Sequence, residues 1–547
     1  MTEPKTTRVE RMATPLARDS VRKIAEACGG CLRPVQLRRT DTVTGEVEQV
    51  MKPCGATLAS VCPPCAERAR LLRIIQCREG WHLEDEPDPG PPAPDEMQEY
   101  WLILRAEAQL RRDRAEAAGE DTADLDELIG ELDTEITRAG VRGTVTTGTG
   151  GNEGKDGKAK GRRVRSTRRR QDVPDLPKQK IAPHTLGRVF TTPDGKSYRP
   201  SMFLTLTCDS YGKVKDDGTP VDPGSYDYRR AARDALHFAA LTDRFIQNLR
   251  RVLGYEAQYF GAVEPQRRLA PHLHMAIRGA VPRSVVRQVI AATYHQVWWP
   301  TTEVIRFEDD ELPVWDEGLG TYLNPATGEV LPTWDQALDA IGRNDAPLHV
   351  ARFGAEFHAE GVLAGSKDAS RCIRYLTKYL TKHVADCHQA DTDTQQAHSA
   401  RLADALRYEP CSPTCANWLR YGVQPKNARP GLRPGACKGK AHRPEHLGYA
   451  GRRVLVSRRW SGKTLADHRG DRKAWLVETL GLEVPDRARY TWQVVFPADH
   501  DHLPYDRRLL RVVADRARWQ AALTEAKRLA DQAEQATEGV SANGRAA

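Results

Sequence analysis

The 547-residue chain lacks any apolar run long enough to cross a bilayer, which needs about 18 to 20 consecutive apolar residues. Met1–Ala13 is polar and has no apolar centre, so no secretory signal is expected. These absences point to a cytoplasmic protein with no membrane partner. Hydrophobic residues are scarce, at 39% against 29% charged residues, which fits several folded domains joined by polar linkers better than one globule. A nucleotide-driven motor is also missing. Gly462-Lys463-Thr464 has the form of the end of a phosphate-binding loop, but Ser457 stands where the first glycine belongs.

What charge there is has been distributed unevenly. The net charge is +8, yet Lys155–Arg170 alone holds nine Lys or Arg and a single acid, Asp156. Such a run suits phosphate contact by counterion release, or a solvated linker.

The twelve cysteines are clustered. In a cytosolic chain, where thiols stay reduced, metal ligation is the better expectation than disulfides. Cys28-Gly-Gly-Cys31 and Cys62-Pro-Pro-Cys65 form two knuckles around a segment, Val35–Met51, that alternates apolar and polar residues about Thr44-Gly45. That pattern predicts a zinc-ribbon-like hairpin with one structural zinc on Cys28, Cys31, Cys62 and Cys65. Cys54 is a fifth thiol able to replace one of the four, and the roles of Cys77 and His82 stay open. Further on, Cys411-Ser-Pro-Thr-Cys415 and Cys437-Lys-Gly-Lys-Ala-His442 would close a Cys3His site around a second structural zinc.

Two motifs carry reaction chemistry. Pro271-His272-Leu273-His274-Met275 is strand-like, so the two imidazoles leave one face and can reach one metal ion, while Leu273 and Met275 point to the core. Tyr375-Leu-Thr-Lys378-Tyr379-Leu-Thr-Lys382 is helix-like, so its phenols share a face one turn apart with a lysine beside each. Around these motifs the periodicity predicts strands at Met202–Thr207, Tyr259–Val263, His272–Ile277 and Leu348–Phe353. It predicts helices at Tyr226–Leu253, Val281–Trp298, Asp368–Val384 and Tyr505–Thr537. The fold class expected is α+β, a central antiparallel sheet with flanking helices. The expected divisions are 20–86 (zinc module), 87–180 (helical and basic linker), 181–400 (catalytic domain with an insertion near 299–345), 405–465 (Cys3His module) and 466–547 (strand and helical tail).

The ordered set Phe203-Leu-Thr-Leu-Thr207, His272-Leu-His274 and Tyr375-x-x-Lys378-Tyr379-x-x-Lys382 resembles the three motifs of HUH endonucleases. With the flanking cysteine clusters, the chain looks like the rolling-circle replication initiators of actinobacterial plasmids and integrative conjugative elements. The resemblance implies an HUH-like fold over roughly Ser201–Lys382 and a catalytic Mg²⁺ or Mn²⁺ on His272, His274 and a third ligand. Glu264 is the choice for that ligand and Gln266 the lesser candidate. It further implies Tyr375 and Tyr379 as nucleophiles, with Lys378 and Lys382 assisting. The product would be a 5′-phosphotyrosine and a free 3′-OH, rejoined at termination. The partners implied are origin DNA, single-stranded or extruded as a hairpin at the nick, and a host helicase and polymerase. The competing readings are a conjugative relaxase and a non-catalytic, zinc-dependent DNA-binding regulator.

Overall fold

The computed structural model describes residues 15–81, 83, 96–138, 176, 190–191, 193, 195, 197–342, 344–378, 380–381, 390–451, 453–479 and 489–543. The basic run Lys155–Arg170, His82, Tyr379 and Lys382 lie outside them. The chain divides into two compact units, Met1–Pro87 with Arg169–Ala547, and Asp88–Arg168.

In chain order the first unit opens with α1 (Pro15–Ala27), the hairpin strands β1 (Val35–Asp41) and β2 (Val47–Lys52), and α2 (Pro63–Trp81). The second unit holds α3 (Glu96–Ala118) and α4 (Ala123–Arg138), an antiparallel pair tied by Arg105 to Asp133 and Arg112 to Asp126, each at 3.0 Å. The first unit then resumes with β3 (Phe190–Thr191), β4 (Ser197–Cys208), α5 (Tyr228–Leu253), β5 (Tyr259–Pro265) and β6 (Pro271–Arg278). Next come α6 (Arg283–Ala291), β7 (Tyr294–Val297), β8 (Val314–Asp316), β9 (Thr321–Leu323), α7 (Trp334–Asp339) and β10 (His349–Ala364). The chain continues through α8 (Lys367–Thr377), α9 (Asp393–Tyr408), β11 (Val454–Val456), α10 (Leu465–Thr479), β12 (Tyr490–Val494) and α11 (Tyr505–Asn543).

The main sheet runs β11-β5-β6-β4-β10-β7, with β3 on β4, and every pairing is antiparallel. All eight residues of β6 are buried because both faces of the sheet are covered. Leu273, Met275 and Ile277 face one core with Phe238, Leu241, Phe245 and Leu249 of α5. That helix starts where the Asp227 side chain accepts from the Arg230 amide and stops at Gly254, whose φ of 73° suits glycine. Each such buried side chain contributes roughly 1.5–3 kcal/mol. The opposite face packs Phe203, Phe260, Ala276 and Val362 against Ala369, Cys372, Ile373 and Leu376 of α8, with Trp81 and Trp460 at the edge. Cys77 belongs to this core and is fully buried.

Two expected divisions merge. β12 pairs with β1, making a three-stranded sheet β12-β1-β2, and Leu509 of α11 packs with Val21, Ala25, Cys31 and Leu32. The segments expected as a separate zinc module and a separate tail therefore form one structure, since the ribbon hairpin alone cannot cover its apolar side. Similarly, Trp299 and Trp334 of the expected insertion pack on Trp418 of the Cys3His segment, with ring centroids 5.8 and 4.8 Å from it. Beyond that segment, β11 extends the main sheet beside β5. Gly462-Lys463-Thr464 leads into a helix cap. The Thr464 hydroxyl accepts from the Asp467 amide, and the Asp467 carboxylate accepts from the Thr464 amide. No described helix is long and apolar enough to cross a membrane.

Candidate active site

The site is laid out by strand register. Thr205 pairs with His274 and Thr207 with His272 across β4 and β6, while Ala262 and Glu264 of β5 face the same histidines from the other side. Alternation sends all these side chains to the α8 face of the sheet. His272 and His274 are nearly buried, and their rings stand edge to face with centroids 4.2 Å apart.

Each imidazole is oriented by a hydroxyl. Thr205 Oγ1 is 3.0 Å from His274 Nδ1, and Thr207 Oγ1 is 2.6 Å from His272 Nδ1. His274 Nε2 meets Glu264 Oε1 at 3.1 Å. Burial, reinforced by His274 and Arg268, depresses the His272 pKa to about 3, so its ring is neutral at pH 7. A neutral imidazole with its second nitrogen fixed is the form that ligates a divalent cation. Two imidazoles and one carboxylate suit an ion such as Mn²⁺ or Mg²⁺, so the donor chemistry fits. Glu264 stands opposite His272 in the strand register but reaches diagonally to His274. Gln266, the lesser candidate, is engaged elsewhere: its amide nitrogen is 3.5 Å from Thr207 Oγ1 and its oxygen accepts from Arg268 at 2.8 Å.

Tyr375 comes to the same place from a hundred residues away. Ser366 caps α8, whose apolar side is buried, leaving Tyr375 on the exposed side, 44% accessible. Its ring centroid lies 4.6 Å from that of His274, edge to face, and 6.3 Å from that of Phe203. The helix ends at Thr377 with Lys378 as its exposed C-cap, short of the Asp368–Val384 span expected from the sequence. The expected partners Tyr379 and Lys382 fall outside the described residues. Thr205 and Thr207 belong to the first of the three sequence motifs, but their contact with the histidines is not expected from it, although Thr-x-Thr has the same two-residue period as His-x-His.

Two further groups could hold metal ions. In each, the ligand atoms all lie within 4.8 Å of one another: Cys31, Cys54, Cys62 and Cys65, and Cys411, Cys415, Cys437 and His442. The first corrects the expected set. Cys28 closes the end of α1 with its thiol donating to the Ala25 carbonyl at 3.3 Å, whereas the Cys54 amide donates to Cys31 Sγ at 3.2 Å. Cys54 follows β2 directly, at the mouth of the hairpin where a ribbon takes its ligands, and this position was the available signal. In the second group, His442 Nδ1 donates to the Leu406 carbonyl at 2.8 Å, which turns Nε2 toward Cys415 Sγ at 3.4 Å. Burial opposes charge on His442, but the Cys411 and Cys437 sulfurs push its pKa up to about 10.

No curated protein and no solved structure matches the chain. A family model described as "Replication initiator protein, pSAM2" (RepSA) matches residues 17–515, a span that takes in the ribbon hairpin, both cysteine clusters, the histidine pair and Tyr375. The chain belongs to this family of plasmid replication initiators.

Proposed function

We propose that this initiator starts rolling-circle replication by nicking one origin strand through a tyrosine ester, as an HUH-type endonuclease. The observation that carries the reading is the contact of Tyr375 with His274, which sets an exposed phenol beside a pair of hydroxyl-oriented imidazoles.

The chemistry follows from charge. A phosphodiester is an anion that repels nucleophiles, and its transition state carries more negative charge still. His272, His274 and Glu264 would hold the divalent ion, which when bound polarises a non-bridging oxygen and orients the phosphate. Tyr375 then attacks phosphorus, and the bond to the 3′ oxygen breaks with its electron pair. A 5′-phosphotyrosine and a free 3′-OH result, the latter a primer for a host polymerase. A phenol has a pKa near 10, so it needs activation: Lys378 and, from the sequence, Lys382 stabilise the developing phenolate or bind the phosphate, and the phenol's proton ends on the departing 3′ oxygen. Tyr379 is the other nucleophile of the pair, so that one phenol can attack at termination while its partner still holds DNA, in either order. The ester conserves the energy of the broken bond, so rejoining requires no ATP.

The two cysteine groups hold structural zinc in this reading, since sets of four thiolate and imidazole ligands within 4.8 Å of one another suit that ion. The test is incubation with Mn²⁺ and a single-stranded origin oligonucleotide. His274→Ala should abolish the covalent adduct while zinc content stays unchanged. Normal cleavage by that variant would overturn the metal assignment.

A further inference from the structure

The sheet β12-β1-β2 is covered on one side only. Gln36, Met51 and Val495 are buried on the covered face, where Gln36 donates to the Asp501 carbonyl and accepts from the Leu503 amide. By alternation the other face presents Val35, Leu37, Arg39 and Asp41 of β1, Glu48, Val50 and Lys52 of β2, and Tyr490, Trp492 and Val494 of β12. Trp492 is 50% exposed, Val494 48%, and Phe496 just beyond the strand 62%. Among the described residues the exposed tryptophans are Trp475, Trp492 and Trp519, all in the last part of the chain.

An exposed indole costs hydration free energy that a folded protein normally recovers by burial. Here the rings are interleaved with arginine. Arg39 Cζ lies 4.6 Å from the Tyr490 ring centroid and 5.9 Å from that of Trp492, and Arg489 lies 5.9 Å from Tyr490. The carboxylates are neutralised in place, Glu48 by Arg39 and Asp41 by Arg489 at 2.8 Å, while the exposed Lys52 adds a further cation. The two ion pairs cancel, so Lys52 leaves these five groups with one net positive charge. Val494, Leu37 and Val50 form an apolar row in register, but the rings beside it sit against arginine rather than in a patch depleted of charge. Aromatic rings alternating with guanidinium groups on an open sheet are instead the arrangement on which unpaired bases stack, with cations tracking their phosphates.

We propose that this open face, centred on Trp492 and Arg39, is a stacking platform for single-stranded DNA, separate from the residues that would cut it. It would hold the strand exposed at the origin without reading its sequence, because every base offers a ring face. The choice of DNA as occupant rests on the nicking reading, and the experiment separates the two.

The full zinc-loaded chain is titrated, with no Mg²⁺ or Mn²⁺ added, into fluorescein-labelled oligo(dT), which lacks an origin and needs no catalytic metal. Trp492→Ala should weaken binding by about tenfold or more, as expected for one lost base stack. Trp492→Phe should keep most of the affinity, and Trp492→Leu, which keeps apolar area but no ring, should not. A bromodeoxyuridine oligonucleotide should photocrosslink to the peptide spanning residues 490–496. Unchanged affinity in Trp492→Ala, or crosslinks confined to other peptides, would overturn the platform. So would sedimentation showing that Trp492→Ala dissociates a dimer while binding the oligonucleotide normally, since the face would then join two copies of the chain. A wild-type protein that binds oligo(dT) through Trp492 yet forms no adduct with origin DNA would sink the nicking reading and leave the platform standing.

Discussion

Thr207 Oγ1 lies 2.6 Å from His272 Nδ1, the shorter of two hydroxyl–imidazole contacts repeated along paired strands. For His272 to ligate an ion through Nε2, its Nδ1–H would donate to this oxygen, which is placed to accept it. The contact explains why Thr-x-Thr accompanies His-x-His in register: removing a hydroxyl leaves a buried ring nitrogen without its partner.

Thr207→Val should therefore weaken Mn²⁺ binding at the histidine site by about tenfold or more. Thr207→Ser should restore it. Calorimetric titration of Mn²⁺ into the zinc-loaded chain checks this, and a wild-type affinity in Thr207→Val would contradict it.

Metal content separates the two candidate thiols of the N-terminal cluster. Cys54→Ser should lose one equivalent of zinc, while Cys28→Ser should keep it, because only the Cys54 sulfur lies among Cys31, Cys62 and Cys65. Elemental analysis of the purified variants reads the outcome, and the opposite pattern would restore the knuckle pairing expected from the sequence.

Gly80 fixes how α2 meets the core. A Cβ there would lie 2.2 Å from Trp460 Cδ1 and 2.3 Å from the Trp460 carbonyl oxygen, and a backbone atom cannot swing aside. Gly80→Ala should lower the stability of the chain by about 1–3 kcal/mol in urea unfolding, the usual effect of overpacking. An unchanged midpoint would show that this contact is loose.

Acid stability should report a second histidine group, away from the active site. Burial, with the neighbouring His295, His349 and Arg233, depresses His237 from 6.5 to about 3. Burial, with Arg244 and His349, depresses His295 to about 4. Below pH 6.5 the unfolded chain binds protons that the folded chain refuses, so stability falls as pH drops from about 6.5 toward 4 and is flat above. His237→Phe should flatten that slope in urea midpoints measured across this range. An identical slope would remove His237 as its source.

The parts of the site written as periodic patterns were legible in the sequence. His272 and His274 share a face because a strand repeats every two residues, and the apolar side of α8 is readable at helical spacing. What was not legible depends on chain reversal and distance. The pairing of β12 with β1 joins residues more than 440 positions apart, from Asp41 to Tyr490, and no local pattern announces it. The choice of Cys54 over Cys28 turns on where a hairpin ends, which spacing between knuckles does not reveal. Thr205 and Thr207 read as ordinary strand residues until their partners across β6 are known.

The central claim is that a tyrosine of this initiator becomes esterified to DNA. The most direct measurement is mass spectrometry of the peptide cross-linked to the 5′ phosphate after incubation with Mn²⁺ and an origin oligonucleotide. The account predicts a nucleotide mass on the peptide spanning residues 375–382, with the adduct surviving in part in Tyr375→Phe and Tyr379→Phe and lost in the double variant. An adduct on any other residue, or strand cleavage that persists in the double variant, would contradict it.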